Sequence, residues 1–504
     1  MDKKRQLKRA QVEKQYKWAI EDLFQTDEEW KAEYQLTKKL ITKVSNYQSR
    51  LSESADTLLE FYKLEDEIAG HFERVYVYAN QKYHEDTSNS IYQDFSNQAS
   101  TLEVMINSAF SFAVPEILEI PEDTIKQYLA SNKELQLYEF ALKEILRQKP
   151  HVLSTEMEEL LADTGAMAES PSIIFSMFNN ADIKFPEIED ENGEKVAITH
   201  GRYGTFMEST NRRVRKEAFE GLYSSYINFK NSLAATYSAN VKSEAFLSKA
   251  RKYPSTLAMK LDDSNVPIDV YTNLINAVHE NLPLMHRYVS LRKKALGVEE
   301  LHMYDLSTPI VKDVNIKIKY EEAKDIVYNA LAPLGGKYRE VLKEGFDNSW
   351  IDVYENEGKR SGAYSWGAYG THPYVLLNYQ DNLRNVFTLA HEMGHAIHRY
   401  YSDEALPIRY AGYKIFVAEV ASTCNEALLM EYLLDNTKGK KERAYLINYF
   451  LEQFKSTLFR QTMFAEFEMI THQMYLDGES LTADSLCKIY RDLNVKYFGD
   501  DIVI

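Results

Sequence analysis

The sequence has few of the residues that cross-link a chain or turn it sharply. Only two of its 504 residues are cysteines, Cys424 and Cys487, which argues against a disulfide scaffold, and neither lies at a metal-ligand spacing. We expect both to be small buried side chains. Glycine and proline are also scarce, at 19 and 12 residues. This scarcity favours a mainly helical fold with few tight turns.

Long apolar runs and an excess of positive charge are missing as well. The N-terminus is basic, but no apolar run follows it, so the sequence predicts no signal peptide. We also expect no stretch of transmembrane length. The formal net charge of −17 argues against nucleic acid as a partner. Together these features predict a cytoplasmic protein and favour no particular oligomeric state.

One motif late in the chain carries a strong chemical signal. Residues 391–395 read His-Glu-Met-Gly-His. Positions four apart on a helix share one face, so His391 and His395 can bind one metal ion with Glu392 beside it. Zinc-dependent peptidases use this arrangement, with the Glu as general base. The alternative is a polar surface face that happens to contain histidines.

The residues around the motif predict an amphipathic helix. Its apolar positions recur with helical spacing at Val386, Leu389, Ala390, Met393 and Ile397. Their mean direction lies nearly opposite to His391, His395 and His398. We therefore expect one buried face and one histidine face, with His398 a candidate for contact with a ligand residue or a substrate.

A catalytic zinc site needs a third protein ligand and one open position. Residues 416–426 supply two acids, Glu419 and Glu426. The apolar residues of this segment predict a buried face opposite both acids, formed by Val417, Val420, Ala421, Cys424 and Leu428. Two acids on one face of a half-buried helix are costly unless a cation faces them. We assign Glu419 as the third ligand, and Glu426 as either a partner of a ligand histidine or an ordinary surface acid.

These stretches resemble the oligoendopeptidase F family, relatives of thimet oligopeptidase. The similar stretches are residues 18–24, 147–154, 359–379, 391–398 and 415–426, so the resemblance spans nearly the whole chain. It implies a mainly α fold, with two helical lobes flanking a deep substrate channel. It also implies that His391, His395 and Glu419 bind zinc and that Glu392 activates water.

The resemblance also implies a departure from the family at the end of this chain, Ile504. Members of the family usually continue well beyond this point, with a His and Tyr cluster that helps to hold the substrate and polarise its scissile carbonyl. His472 and Tyr475 do not reproduce that cluster in motif or order. Either the chain is a fragment or the carbonyl-polarising role is missing, and we expect the isolated 504 residues to be orders of magnitude slower than a full-length relative.

Residues 182–200 predict a small β-hairpin. Ile188 and residues 196–198 flank Asn192-Gly193, which is a hairpin-turn signal. Helical spacing lies on both sides. We predict an N-terminal helical lobe of residues 1–200 that ends in this hairpin, followed by a catalytic lobe of residues 201–504.

A second strand-rich region lies just before the motif. Residues 374–379 are apolar and aromatic, which favours a strand and a small β-sheet beside the zinc helix. We expect this strand to present an edge to which a peptide substrate pairs. A purely structural strand under the helix is the alternative. His372, in the loop before the strand, is a candidate for contact with substrate or with zinc-bound water.

These residues together predict a zinc-dependent endopeptidase that holds one Zn²⁺ and hydrolyses short oligopeptides, with Glu392 as general base. The alternative is a zinc-containing peptide-binding protein with little or no turnover. Because a binding protein would not need Glu392, its presence favours the enzyme. A purely structural zinc is a third option, which three ligands beside an open position disfavour.

Overall fold

The computed structural model describes residues 7–154, 157–158, 160–161, 164–311 and 316–504. The chain forms two compact units, and each is built from two separate stretches. The first unit contains Met1–Lys149 and Asn315–Lys438, and the second contains Pro150–Val314 and Gly439–Ile504. The division predicted at residue 200 differs from this one and falls inside the second unit. The reason is that a single cut along the chain cannot describe units assembled from non-adjacent stretches.

The first unit is mainly helical, as the sequence predicts. Its α-helices are Asp27–Ile41, Ala55–Glu85, Ser90–Phe110, Ala113–Glu119, Glu122–Ser131, Glu139–Gln148, Tyr320–Ala330, Gly336–Asp347, Leu383–Ala405, Ile408–Ala411 and Ile415–Asn436. Its short 3-10 turns are Arg9–Gln11, Lys14–Tyr16, Ile20–Asp22, Val44–Tyr47, Leu135–Tyr138 and Ala332–Leu334. A further 3-10 turn, Lys149–His151, lies at the chain boundary between the units.

The second unit is also mainly helical. Its α-helices are Gly165–Met177, His200–Glu208, Arg212–Ile227, Lys230–Ala250, Thr256–Asp262, Ile268–Leu296, Lys440–Gln453, Arg460–Leu476 and Ala483–Phe498. Its π-helical turns are Phe178–Asp182 and Phe454–Phe459, and Met303–Asp305 is a 3-10 turn. The strands Leu301–His302 and Ile502–Val503 pair in parallel.

The predicted hairpin is confirmed within the second unit. Strands Glu187–Glu189 and Lys195–Ala197 are antiparallel, with Ile188 opposite Val196. The turn between them contains Gly193 at φ +80°, a backbone conformation that L side chains rarely adopt. The turn residues therefore determined the position of this hairpin.

A three-stranded sheet in the first unit lies beside the helix Leu383–Ala405, as predicted. Tyr374–Leu376 is its middle strand, parallel to Ile351–Asp352 and antiparallel to Tyr364–Trp366. The prediction that residues 374–379 present an edge is wrong, because this strand is paired on both sides. Tyr364–Trp366 is an outer strand of the sheet, and it also contacts the helix.

One helical stretch, Ser90–Glu119, is long and apolar enough to cross a membrane by length and composition alone. The expectation that no stretch reaches this length is therefore wrong. Phe95, Ala99 and Leu102, spaced as one face of the helix, are buried in the core of the first unit. A single such helix is weak evidence for a membrane span, because core helices pass the same test.

Both cysteines are exposed free thiols. The expectation that they are buried is wrong. Cys487 is exposed because its helix, Ala483–Phe498, buries the positions at Leu486, Leu493 and Tyr497 instead.

Candidate metal centre

The helix Leu383–Ala405, here called the motif helix, carries the His-Glu-Met-Gly-His motif. It begins after Asn382, whose side-chain oxygen accepts a hydrogen bond of 2.9 Å from the backbone N–H of Asn385. The predicted apolar stripe is fully buried, at Val386, Leu389, Ala390, Met393 and Ile397. Burial of this stripe fixes how the helix is rotated about its axis. It thereby directs the histidine side chains away from the buried face.

The helix Ile415–Asn436, here called the acidic helix, packs along the motif helix. Its buried residues are Ala418, Ser422, Asn425, Leu429 and Met430. The apolar face predicted for this segment is wrong, because Val417, Val420 and Cys424 are exposed. The buried face of the acidic helix instead mixes the small or polar residues Ala418, Ser422 and Asn425 with apolar residues, so it is not a continuous apolar stripe in the sequence.

Two contacts hold these helices close together. A Cβ atom on Gly394 would lie 2.6 Å from Cα of Ser422, so only glycine allows this approach of the two backbones. Asn425 donates a hydrogen bond of 2.9 Å to the backbone carbonyl of Ala390 and accepts one of 2.9 Å from the hydroxyl of Tyr338. These contacts set the distance between the motif and the acids on the neighbouring helix.

His391, His395 and Glu419 come together as a group of potential metal ligands. The two Nε2 atoms lie 3.2 Å apart, and Oε2 of Glu419 lies 3.2 Å from Nε2 of His391 and 3.5 Å from Nε2 of His395. Tetrahedral zinc with bonds of about 2.0–2.1 Å separates its ligand atoms by about 3.3 Å. The donor set and its spacing therefore fit three corners of one zinc tetrahedron.

Glu426 contacts the other ring nitrogen of His391. Its Oε1 lies 2.5 Å from Nδ1 of His391, a distance at which the carboxylate accepts the Nδ1 hydrogen. Burial lowers the pKa of His391, but the hydrogen bond to Glu426 and the nearby carboxylates raise it by more. The pKa of His391 therefore lies above its usual value. In the tautomer that this bond selects, the Nε2 lone pair is available to a metal ion.

Glu392 is buried beside the ligand group. Its Oε2 has no hydrogen-bond partner among the described residues. Burial, with the added effect of the nearby carboxylates Glu419 and Glu426, raises the pKa of Glu392 from 4.5 to about 7. A carboxyl group with a pKa near neutrality can accept and release a proton in the physiological pH range.

The family follows from comparisons with known proteins. Residues 205–504 match the family model for peptidase family M3, and residues 116–185 match that for oligopeptidase F. This chain belongs to peptidase family M3. It is similar to oligopeptidase PepF of Bacillus subtilis, with 48% identity over 496 residues, 98% of this chain and 74% of that protein.

Solved structures agree with this assignment. This M3 peptidase superposes on oligoendopeptidase-F from Enterococcus faecium with a TM-score of 0.72 at 37% identity, covering 95% of this chain and 81% of that one. A peptidase structure from Chlamydophila abortus gives a TM-score of 0.87 at 32% identity, covering 99% and 84%. The resemblance inferred from the sequence motifs is confirmed.

His398 of this M3 peptidase lies one turn after His395 and outside the ligand group. Its ring stacks on Tyr413, with centroids 3.9 Å apart. Burial lowers the pKa of His398, and its Nδ1 has no hydrogen-bond partner within the described residues. His398 therefore packs beside Tyr413 and is not one of the potential metal ligands.

His372 is also outside the ligand group. Its Nε2 lies 3.1 Å from a carboxylate oxygen of Asp22, and its Nδ1 lies 2.7 Å from the carbonyl of Pro373. The ring stacks on Trp350, with centroids 5.5 Å apart. Because the protein engages both nitrogens, the structure does not support a contact of His372 with substrate or metal.

Reasoning from the sequence missed three residues that shape the site of this M3 peptidase: Gly394, Ser422 and Asn425. For Ser422 a weak signal existed, because it follows the candidate ligand Glu419 by three positions and so lies on the same side of a helix. The other two act through contacts between helices, which no local spacing reveals.

Proposed function

We propose that this chain is a zinc-dependent endopeptidase that hydrolyses short oligopeptides. The observation that carries the proposal is the triangle of His391, His395 and Glu419, whose edges of 3.2, 3.2 and 3.5 Å suit one tetrahedral zinc ion. Glu392 lies next to this triangle in the motif, with a pKa raised to about 7 by burial. Membership of peptidase family M3 supplies the reaction class.

A zinc ion held by these three side chains would polarise the scissile carbonyl and make a water molecule more acidic. Glu392 takes the proton of the attacking water and delivers it to the leaving amine. In the absence of a metal ion, burial raises the pKa of Glu392 to about 7, so this carboxyl group can exchange a proton near neutral pH.

Glu426 and His391 act together in this scheme. The carboxylate of Glu426 accepts the Nδ1 hydrogen at 2.5 Å and so keeps the Nε2 lone pair directed to the same point as Glu419. Such partners fix the ring orientation and raise the basicity of a ligand histidine. We therefore favour the histidine-partner interpretation of Glu426 over that of an ordinary surface acid.

The outer strand Tyr364–Trp366 is the proposed place for the substrate backbone. It is a terminal strand of its sheet and contacts the motif helix. An extended peptide can add to such an outer strand by main-chain hydrogen bonds, which do not depend on peptide sequence. Relatives named oligopeptidase and oligoendopeptidase support short peptides as the substrate class.

A hydrolysis assay with a quenched-fluorescent oligopeptide tests the proposal. We expect chelator to abolish hydrolysis, zinc to restore it, and Glu392→Gln to reduce it by about 10²–10⁴-fold with zinc still bound. Glu404→Gln is the matched control, because Glu404 is an exposed acid on the same helix that pairs with Lys337. Hydrolysis that is insensitive to chelator would refute the dependence on zinc, and equal hydrolysis by both variants would refute Glu392 as the general base. Peptide binding without hydrolysis would support the zinc-containing binding protein.

A further inference from the structure

Glu419 is the most exposed of the three proposed metal ligands. Its side chain is 63% exposed, whereas those of His391 and His395 are 25% and 15% exposed. An exposed Glu side chain samples several rotamers, and fixing it in one of them costs conformational entropy. A contact other than burial must therefore place its carboxylate.

Ser422 provides such a contact. Its Oγ lies 2.8 Å from Oε2 of Glu419, the same oxygen that lies 3.2 and 3.5 Å from the two histidine nitrogens. Ser422 is fully buried, and its Oγ also lies 3.0 Å from the backbone carbonyl of Glu419. A carboxylate oxygen has about two lone-pair sites, so it can accept this hydrogen bond and still bind a cation.

Gly394 in the motif explains why the serine is held firmly. A Cβ at this position would lie 2.6 Å from Cα and 2.9 Å from N of Ser422, and 3.0 Å from the carbonyl oxygen of Ala421. All three are backbone atoms, which cannot move aside as the end of a flexible side chain can. The backbone at Ser422 thus lies directly on the motif helix, and its buried hydroxyl points along its own helix toward Glu419.

We propose that Ser422 is a positioning residue for the third metal ligand. Its hydroxyl holds the Glu419 carboxylate at the distance from His391 and His395 that one zinc ion requires. The inference rests on the zinc site of the proposed function and adds a residue that acts through Glu419. Thr423 offers a contrast, because its exposed hydroxyl bonds the backbone carbonyl of Glu419 at 2.5 Å and makes no described bond to the carboxylate.

Zinc affinity of the full chain, measured by competition with a chromophoric chelator, tests the inference. We expect Ser422→Ala to weaken zinc binding by about 10-fold or more, and the matched control Thr423→Ala to change it by less than about 2-fold. The visible absorption of bound Co²⁺ should change in Ser422→Ala and stay as in the parent in Thr423→Ala. Equal affinities and spectra of the two variants would overturn the inference.

A double-mutant cycle separates positioning from packing. If Ser422 acts through Glu419, then Ser422→Ala weakens zinc binding in the parent chain and has no further effect in Glu419→Ala. An equal loss in both backgrounds, or a Ser422→Ala chain without native far-UV circular dichroism, would make Ser422 a packing residue and overturn the inference. Failure of the parent chain to bind one zinc is a different result. It would refute the zinc site itself, and this inference with it.

Discussion

The Oε1 oxygen of Glu426 lies 2.5 Å from Nδ1 of His391, on the side of the ring opposite to the proposed metal position at Nε2. The contact joins two helices, because His391 belongs to the motif helix and Glu426 to the acidic helix. One ligand is thus oriented by the helix that also carries another ligand, Glu419. The helix–helix packing and the ligand geometry are therefore coupled.

Removal of the Glu426 carboxylate should weaken the metal site. We expect Glu426→Ala to lower zinc affinity by about 10–100-fold, because Nδ1 of His391 loses the acceptor that fixes its tautomer. Glu426→Gln should lower zinc affinity less than Glu426→Ala, since the amide oxygen of glutamine can still accept the Nδ1 hydrogen. Chelator competition gives both affinities, and Glu431→Ala, an exposed acid on the same helix, is the control. Parent-like affinity in Glu426→Ala would leave Glu426 as an ordinary surface acid.

Zinc binding should weaken as the pH falls. A proton competes with zinc for each ligand, and the pKa of His391 lies above its usual value because of Glu426 and the neighbouring carboxylates, despite the opposing effect of burial. We expect the apparent affinity to fall by up to about 10-fold per pH unit for each proton that zinc displaces. Zinc titrations between pH 8 and pH 5, with proton release measured in weak buffer, check this. An affinity independent of pH would contradict a histidine site.

Gly394→Ala should damage both stability and metal binding. The new Cβ would lie 2.6 Å from the backbone of Ser422, so the helices must separate, and we expect a destabilisation of about 1–3 kcal/mol. Gly204→Ala is the matched control, because Gly204 lies in the helix His200–Glu208 and an added Cβ would meet nothing within 4 Å. There we expect a neutral effect or a gain of up to about 1 kcal/mol. Urea unfolding measures the stability of both variants. Similar effects of the two substitutions would refute the close contact.

His84 should make the stability of the first unit depend on pH. Its Nε2 accepts a hydrogen bond of 2.8 Å from Arg360, and its Nδ1 lies 2.8 Å from the hydroxyl of Tyr364 on the outer strand. Burial, and then the charge of Arg360, lower the pKa of His84 from 6.5 to about 4. Between these values the unfolded chain binds a proton that the folded chain does not, so this stabilisation is present above pH 6.5 and is lost as the pH falls toward 4.

The comparison with His84→Gln isolates this effect. At pH 7.5 the parent should be the more stable protein in urea unfolding, and the difference should shrink by about 2–3 kcal/mol at pH 4.5. A difference that stays constant over this range would show that His84 is not kept neutral by its surroundings.

The spacing of apolar residues predicted the buried face of the motif helix correctly and that of the acidic helix wrongly. Val386, Leu389 and their stripe are buried as expected, because a helix that packs on an apolar core repeats its apolar residues every turn. Val417 and Val420 of the acidic helix are exposed. There the contact is made by Ser422 against Gly394, and a contact between small residues has no hydrophobic period to read.

The sheet shows the same limit of local reasoning. Apolar and aromatic residues correctly indicated a strand at Tyr374–Leu376, since that preference is local. Its place between two partners depends on Ile351–Asp352 and Tyr364–Trp366, which lie elsewhere in the chain. Pairing order is a non-local property, so the edge was assigned to the wrong strand.

The sequence alone determined the relative placement of two of the three proposed metal ligands. A spacing of four positions places His391 and His395 on one face of their helix wherever that helix lies, because the geometry of an α-helix is fixed. The position of Glu419, in contrast, depends on tertiary packing. Its carboxylate reaches 3.2 Å from His391 because Gly394 lets a second helix approach and because buried Ser422 bonds the carboxylate. Packing between segments distant in sequence created these contacts, and they completed the site that the motif began.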